Sequence, residues 1–390
     1  MRSQTATGRN MANCRPRLAL LRRPAWAWLH GIVLAVTVLS GHAPAATAKD
    51  FTWRLPVGMA PPPVPASNPM SSAKIELGRR LFFDIRLSGP GYMACATCHK
   101  PELAFTDGRK VAIGVTGQRH TRNSPTLTNV AYLSRFGWAQ PKHEVLEVQL
   151  RRPMFGENPI EMGTLGHEVP VLTHIRSNSV YRQLFETAFA GEATASGDAI
   201  SFDNIGRAIA AFQRTIVSAN APYDKFVGGD QTALSAAARR GLRLFSSARL
   251  NCSKCHVPPF FTDAIGDVRF HNTGLYNVDG TGRLPGTDQG LTNETKMPAD
   301  IGRFRTPTLR NIKITAPYMH DGSVASLKEV IDHYAAGGRA ALHGAPSPLR
   351  SPLVRGFRIS ASERQDVIAF LDSLTDTTFL AEPSFRSPYQ

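Results

Sequence analysis

The chain has 390 residues, a hydrophobic fraction of 42% and a formal net charge of +15. Its length exceeds the roughly 250–300 residues at which a single hydrophobic core stops growing, so a packed globular protein of two domains is expected. The sequence contains no Lys/Arg run of the kind that marks nucleic-acid-binding proteins, which argues against a nucleic-acid partner.

Residues 1–48 have the features of a cleaved secretory signal peptide. Basic residues precede an apolar stretch at 26–39, and two small-residue cleavage candidates follow at Ala43-Pro44-Ala45 and Ala46-Thr47-Ala48. The apolar stretch is short for a membrane anchor, which is the alternative interpretation, so no stable membrane span is expected after cleavage. Met11 is an alternative translation start. We therefore predict a periplasmic protein.

Cleavage after residue 48 would lower the formal charge from +15 to +9, because it removes six Arg and no acidic residue. A moderate positive excess suits an acidic protein partner. A solvated basic surface explains the charge equally well, and the sequence does not decide between the two.

A short pattern occurs twice in the remaining chain. Gly78-Arg79-Arg80-Leu81-Phe82 and Gly241-Leu242-Arg243-Leu244-Phe245 each precede a Cys-x-x-Cys-His pentapeptide. The repetition predicts two related cytochrome c-like domains, which we place at 49–220 and 221–390. The alternative is a single domain in which the cofactor serves as a structural staple.

The pentapeptides are haem attachment motifs. Two thiols at this spacing add to the haem vinyl groups while the adjacent His binds the iron. The attaching residues are Cys95, Cys98, Cys252 and Cys255, and the proximal ligands are His99 and His256. Cys14 leaves with the signal, so no thiol remains for a disulfide. A zinc site or redox Cys pair would not explain two copies that are each followed by His.

Several helices are predicted from hydrophobic periodicity. The first spans 202–219. A second carries Leu327, Val330, Ile331 and Tyr334 on one face, and a third, capped by Ser360 or Ser362, carries apolar residues from Val367 to Leu374. No series of alternating strands is found, and 257–304 is predicted to be one long loop. The predicted fold class is all-α, with two cytochrome c-like haem domains and long irregular loops.

Further motifs are shared with a known family. They are Leu77–Asp84 with Arg86–Ser88, Arg122–Thr126, Asn158–Gly163, Arg305–Asn311 and Ala316–Gly322. Together they resemble the bacterial di-haem cytochrome c peroxidase and MauG superfamily over nearly all of residues 51–376. The resemblance implies an enzyme that holds two covalently bound haem c groups and reacts with hydrogen peroxide.

A narrower resemblance is to the MbnH-type members of that superfamily. It is carried by Phe51–Pro56, Asn68–Ser71 and Pro153–Glu157. It implies that peroxide generates high-valent haem iron, which oxidises a Trp of a copper-binding, MbnP-like partner protein to kynurenine. The segment Phe136–Gln140 departs from the Phe-Trp-Asp-Gly-Arg of the peroxidases. Two alternatives remain: a cytochrome c peroxidase fed by a small cytochrome c or cupredoxin, and a non-enzymatic di-haem electron shuttle.

For the second haem, the resemblance implies that Tyr334 is the axial ligand opposite His256. Peroxidases of the family have Met at this position and MauG has Tyr. Phenolate oxygen stabilises oxidised iron, whereas thioether sulfur favours the reduced state. Met319 is the competing ligand, and Tyr334 could instead be an ordinary core residue.

For the first haem, the resemblance places Gln149 and Glu161 on the open face opposite His99. A carboxylate there can move a proton between the two peroxide oxygens. Glu161 could instead be a solvated loop acid and Gln149 a helix-surface residue. His120 lies near the loop where some peroxidases carry a removable distal His, but its offset does not match, so we predict a loop-surface position.

Two further roles follow from the resemblance. Trp138 corresponds to a Trp that lies between the haems and carries an oxidising equivalent from one iron to the other, although a core Trp is the alternative. A possible calcium ion between the domains would be held by oxygen atoms at Asn123, Arg305 and Pro307, and oxygen-only ligation suits calcium.

Overall fold

The structure, a computed structural model, describes residues 51–56, 58–142, 144–192 and 197–389. The predicted signal peptide, Met11 and Cys14 lie outside the described residues. Within those ranges, no helix has both the length and the apolar character needed to cross a bilayer.

Short and medium-length helices joined by irregular segments make up most of the described chain. In chain order they are α1 Ser72–Phe83, α2 Cys95–Cys98, α3 Leu146–Gln149, α4 Arg151–Phe155, α5 Glu168–Ser177, α6 Ser179–Ala188, α7 Phe202–Arg214, α8 Pro222–Val227, α9 Ala236–Ser246, α10 Thr292–Thr295, α11 Leu327–Ala335, α12 Arg339–Leu342, α13 Ala361–Asp372 and α14 Thr377–Ala381. The prediction of a helix-rich protein is confirmed.

Local capping explains where the predicted helices begin. Ser360 caps α13, accepting from the Glu363 amide while the Glu363 carboxylate accepts from the Ser360 amide. Ser326 and Glu329 form the same capping box at α11. Of the two predicted caps of α13, Ser360 is therefore the one that is used.

The predicted helix 202–219 is too long, because α7 ends at Arg214. Beyond it, Ser218 donates its amide to the side chain of Asn129, and Asn129 donates back to the Ser218 carbonyl. The run from Thr215 to Val217 is β-branched and favours an extended conformation. The helix therefore stops where non-helical backbone partners become available.

The segment predicted to be one long loop, 257–304, contains regular structure. Strands β1 Phe270–Asn272 and β2 Arg303–Arg305 form an antiparallel pair in which His271 lies opposite Phe304. Helix α10 lies between them. The expectation of a structureless loop is wrong, because three-residue strands are too short to show an alternating pattern. The fold is helix-rich with few strands rather than strictly all-α.

The repeated Gly pattern forms two equivalent helix crossings. A Cβ added at Gly78 in α1 would lie 1.9 Å from the Ala208 carbonyl oxygen in α7. A Cβ added at Gly241 in α9 would lie at the same distance from the Asp366 carbonyl oxygen in α13. At both crossings the helices approach so closely that only hydrogen fits between them.

Two hydrophobic cores surround these crossings. In the first, Phe82 packs on Phe212, and in the second Phe245 packs on Phe370. Phe379 and Phe385, near the end of the chain, pack into the first core. Both residues fall within the predicted C-terminal domain 221–390, yet they pack into the core formed mainly by the N-terminal half. The division into two domains stays a prediction.

We expect Gly78→Ala and Gly241→Ala each to lower the free energy of unfolding by about 1–3 kcal/mol, because the added methyl overpacks a backbone contact. This cost outweighs the gain of about 1 kcal/mol that Ala brings to a helix interior. Thermal and denaturant unfolding of haem-loaded protein measures it. Gly206→Ala in α7 is the control, since its Cβ would lie 3.1 Å from the Glu147 carbonyl oxygen. Equal stability of all three variants would contradict the tight crossings.

Candidate functional site

The two proximal histidines are oriented in the same way. The Nδ1 atom of His99 lies 2.9 Å from the Phe105 carbonyl oxygen, and that of His256 lies 3.1 Å from the Phe261 carbonyl oxygen. A carbonyl can only accept, so each Nδ1 carries the proton and each Nε2 keeps its lone pair. Burial lowers the pKa of both imidazoles, which favours this neutral form. Both histidines therefore fit haem iron at Nε2.

The carbonyls that orient the histidines belong to a repeat that the sequence analysis missed. Phe105 and Phe261 both have positive φ, at 61° and 53°. Each is followed by Thr and a buried Asp, Asp107 in one half and Asp263 in the other. The recurrence of Phe-Thr-Asp shortly after each haem motif is the signal that would have revealed these positions.

A cavity adjoins the second motif. Cys252, Cys255 and His256 line one part of it, and the predicted axial residues Tyr334 and Met319 also line it. Large apolar side chains contribute much of the remaining wall. The structure thus brings both candidate ligands to the cavity that holds the attachment residues, as a haem site requires.

Tyr334 lines the cavity together with Ile331 of the same helix. Ile331 also belongs to the second core. Burial raises the pKa of its phenol, and the nearby Cys255 and Cys252 add to this effect. Met319 packs partly against another cluster, around Leu275. The assignment of Tyr334 as axial ligand stays a prediction, with Met319 and an ordinary core role as the alternatives.

A small polar network lies beside the second attachment motif. Ligand atoms of Cys255, Asp263 and His271 all lie within 4.8 Å of one another. His271 Nε2 is 2.8 Å from the Asp263 carboxylate. Burial lowers the pKa of His271, but hydrogen bonds and charge attraction from Asp263 and from the free Cys255 thiol together outweigh it and raise this pKa to about 9. Because haem attachment consumes the sulfur of Cys255, we interpret the group as an environment for the haem rather than as a separate metal site.

Of the two predicted distal residues, Glu161 lies near the cysteines of the first motif. Burial raises the pKa of the Cys95 and Cys98 thiols, and Glu161 is close enough to raise both further. Burial also raises the pKa of the Glu161 carboxyl itself. Gln149 ends α3, and its Oε1 is buried without a hydrogen-bond partner among the described residues. An orphaned amide oxygen at this position fits a group that the polypeptide does not supply.

His120 lies outside helices and strands, as predicted, and is partly buried rather than fully exposed. Its side chain is only 23% exposed, and its Nε2 lies 3.8 Å from Oε1 of Glu161. The ring is turned inward because its Nδ1 accepts a hydrogen bond from the Arg122 amide. The sequence did not predict this proximity to Glu161, because the position of His120 was considered only for an iron ligand.

Trp138 connects the surroundings of the two motifs. It is 9% exposed, packs with Leu284, Leu291 and Phe304, and lines the cavity that contains His256. Its Nε1 donates to the Asn123 carbonyl oxygen at 2.7 Å. Two residues further on, the Pro125 carbonyl lies against the His99 imidazole.

The residues of the predicted calcium site are brought to the same cavity. Asn123, Arg305 and Pro307 all line it beside Trp138. Asn123 Nδ2 donates to the Arg109 carbonyl oxygen, and the Pro307 carbonyl lies against the His256 imidazole. Calcium binding at these residues stays a prediction.

Two covalent attachment motifs, two imidazoles held with Nε2 available and an apolar cavity define a di-haem c-type cytochrome. The family model of di-haem cytochrome c peroxidases matches residues 72–232. The chain is 34% identical to the cytochrome-c peroxidase IdrP1 of Pseudomonas sp., over 88% of this chain and 93% of that protein. It is 35% identical to the methylamine utilization protein MauG of Methylorubrum extorquens, over 90% and 93%.

The chain therefore belongs to the di-haem cytochrome c peroxidase and MauG family, and it is a peroxide-dependent haem oxidoreductase. The predicted resemblance is confirmed. A solved MauG-like protein associated with microbial copper homeostasis is 42% identical, with a TM-score of 0.83 over 87% of this chain and 100% of that chain. The di-haem peroxidase BthA from Burkholderia thailandensis is 23% identical, with a TM-score of 0.63 over 82% and 91%, and shares the fold.

Proposed function

We propose that this protein uses hydrogen peroxide to oxidise a side chain of a partner protein, in the manner of the MbnH-type and MauG enzymes. The substrate would be a Trp of an MbnP-like partner, converted to kynurenine. The observation that carries the proposal is Tyr334, which lines the cavity of the second haem on the helix where a peroxidase would have an axial Met. The 42% identity to a copper-associated MauG-like protein supports the same assignment.

The haems, when bound, supply iron that reacts with peroxide and retains two oxidising equivalents. The chain supplies the rest of the chemistry. Glu161, whose pKa is raised by partial burial, would take the proton from one peroxide oxygen and return it to the other. Gln149 would offer its unpaired amide beside it. Tyr334 would hold the second iron, and Trp138 would carry the oxidising equivalent between the two sites.

The rival function is a cytochrome c peroxidase, which takes its electrons from a small cytochrome c or cupredoxin. Met319 lines the same cavity as Tyr334 and would be its axial ligand. Steady-state turnover distinguishes the two functions. We expect slow oxidation of reduced cytochrome c or cupredoxin, and peroxide consumption that rises when the MbnP-like partner is added. Rapid oxidation of the donor, at a rate that does not change when the partner is added, would favour the cytochrome c peroxidase.

The site of action would be the periplasm, reached through the signal at residues 1–48. The signal peptide would also direct the chain to the compartment in which c-type haem is attached. N-terminal sequencing of the mature protein tests this proposal, since cleavage near residue 48 is expected and an intact N-terminus would contradict it.

Trp138→Phe should slow oxidation of the partner while leaving haem content and the peroxide reaction at the His99 haem intact. Phenylalanine fills most of the indole volume but is much harder to oxidise. The unpaired Asn123 carbonyl and the smaller ring would also lower the free energy of unfolding by about 1–3 kcal/mol. Stopped-flow spectra, partner oxidation and haem content should be measured together.

Trp53→Phe is the control for this experiment, because it removes the other Trp of the chain after residue 48. Full partner oxidation by a correctly loaded Trp138→Phe protein would leave Trp138 as a core residue only.

A further inference from the structure

A hydrogen-bonded stretch of backbone holds His120 near Glu161. Ile113 and Arg119 form an antiparallel bridge, and the His120 amide donates to the Ala112 carbonyl oxygen at 2.8 Å. These bonds turn residues 112–122 into a compact hairpin. His120 is therefore placed by a hydrogen-bonded backbone rather than by a free loop.

The same hairpin holds the backbone of Glu161. The Val115 amide donates to the Glu161 carbonyl oxygen at 2.7 Å. Both members of the pair are thus bound to one short structural unit, and their side chains approach each other, with 3.8 Å between Nε2 and Oε1, somewhat beyond hydrogen-bond length. The contact follows from the local fold and not from the chance placement of two long side chains.

The tautomer of His120 decides what the contact can do. Its Nδ1 accepts the Arg122 amide hydrogen at 3.0 Å, so the proton of the neutral ring lies on Nε2, the atom that faces Glu161. Burial and the neighbouring Arg122 lower the pKa of His120, whereas Asp288 opposes this. An approach of the two side chains by about 1 Å would let the neutral ring donate a hydrogen bond to the carboxylate.

We propose that His120 is a positioning residue for Glu161, whose Nε2–H directs the carboxylate toward bound peroxide. The proposal rests on the proposed function, because it assigns Glu161 the proton transfer. In the part of the chain that the structure describes, His120 is the one basic side chain within 4 Å of the Glu161 carboxylate. A carboxylate that is 40% exposed and otherwise unpaired has several orientations, and one fixed donor selects among them.

The charged and titratable groups around the pair define its pH behaviour. Arg122 and Asp288 face His120, and Cys95 and Cys98 face Glu161. The two sulfurs are uncharged thioethers once haem is attached. A donor to a carboxylate stabilises its ionised form, so removing the donor should raise the pKa of Glu161. The pH below which proton acceptance fails should rise with it.

Three variants test the proposal: His120→Leu, His120→Gln and the control His343→Leu, which removes an exposed His. On haem-loaded protein, His120→Leu should slow the peroxide reaction about tenfold, the effect of losing one hydrogen bond to a charged group. As the pH is lowered, the rate of His120→Leu should begin to fall at a higher pH than the rate of the native protein. His120→Gln retains an N–H donor and should restore most of the rate, and His343→Leu should match the native protein.

A second readout requires no turnover. Infrared titration of the resting protein follows the Glu161 carboxyl band, identified by its loss in Glu161→Gln, and its pKa should rise in His120→Leu. An unchanged pKa and rate would overturn the proposal, as would a changed resting haem spectrum, which would make His120 an iron ligand. If the native protein does not react with peroxide, the proposed function fails, while the infrared titration still tests the pair.

Discussion

Replacing Glu161 with Gln should slow the reaction of the haem-loaded protein with hydrogen peroxide by about 10²–10⁴-fold, the usual contribution of a general acid or base. Gln has the same shape but cannot accept the peroxide proton and return it. The loss should appear in the bimolecular rate constant measured by stopped flow. Haem content and the resting spectrum should not change.

The pH dependence gives this prediction a second signature. Burial raises the pKa of Glu161, so its ionised form is lost at a higher pH than that of an exposed glutamate. The native rate should therefore fall as the pH drops through this raised pKa. The fall should be absent from the residual rate of Glu161→Gln.

Glu157→Gln is the matched control, because it removes an exposed carboxylate four residues away and should leave the rate unchanged. If Glu161→Gln retained the native rate at every pH, the proton transfer would have to be assigned to another group.

Tyr334→Phe should abolish the low-spin spectrum of a His/Tyr-ligated haem and with it the ability of the second site to store an oxidising equivalent. The ring volume stays, so packing on α11 should be preserved, and the change isolates the phenol oxygen. Electron paramagnetic resonance of the resting protein measures ligation, and partner oxidation after a peroxide pulse measures storage. We expect oxidation of the partner to fall to the background level.

Tyr318→Phe is the control, since Tyr318 lines the same cavity and its hydroxyl donates to the Ile312 carbonyl oxygen. Met319→Leu provides the opposite test. A low-spin signal that survives in Tyr334→Phe but disappears in Met319→Leu would assign the axial ligand to Met319. That result would favour the cytochrome c peroxidase as the function.

The attachment motifs and the longer helices could be predicted because their signals are local. The spacing of Cys252, Cys255 and His256 follows from the dimensions of the haem edge, and the start of α13 follows from the Ser360 cap. The Gly78 and Gly241 crossings also have a local sequence signal, since a repeated Gly before a repeated Phe indicates a recurring helix contact.

Contacts between distant segments could not be predicted in this way. Nothing near His120 in the sequence indicates that a hairpin brings it to Glu161, because the bonds responsible join Val115 to a residue 46 positions away. The return of Phe379 to the first core is equally non-local. Strand β1 and strand β2 are too short to carry a pattern, and their pairing is set by the tertiary fold.

Mass spectrometry of the MbnP-like partner, after incubation with this haem-loaded protein and hydrogen peroxide, tests the central claim most directly. The account predicts conversion of one partner Trp to kynurenine, dependent on peroxide and absent with Glu161→Gln. An unmodified partner, in a reaction where the same protein preparation consumes peroxide with reduced cytochrome c as donor, would contradict it.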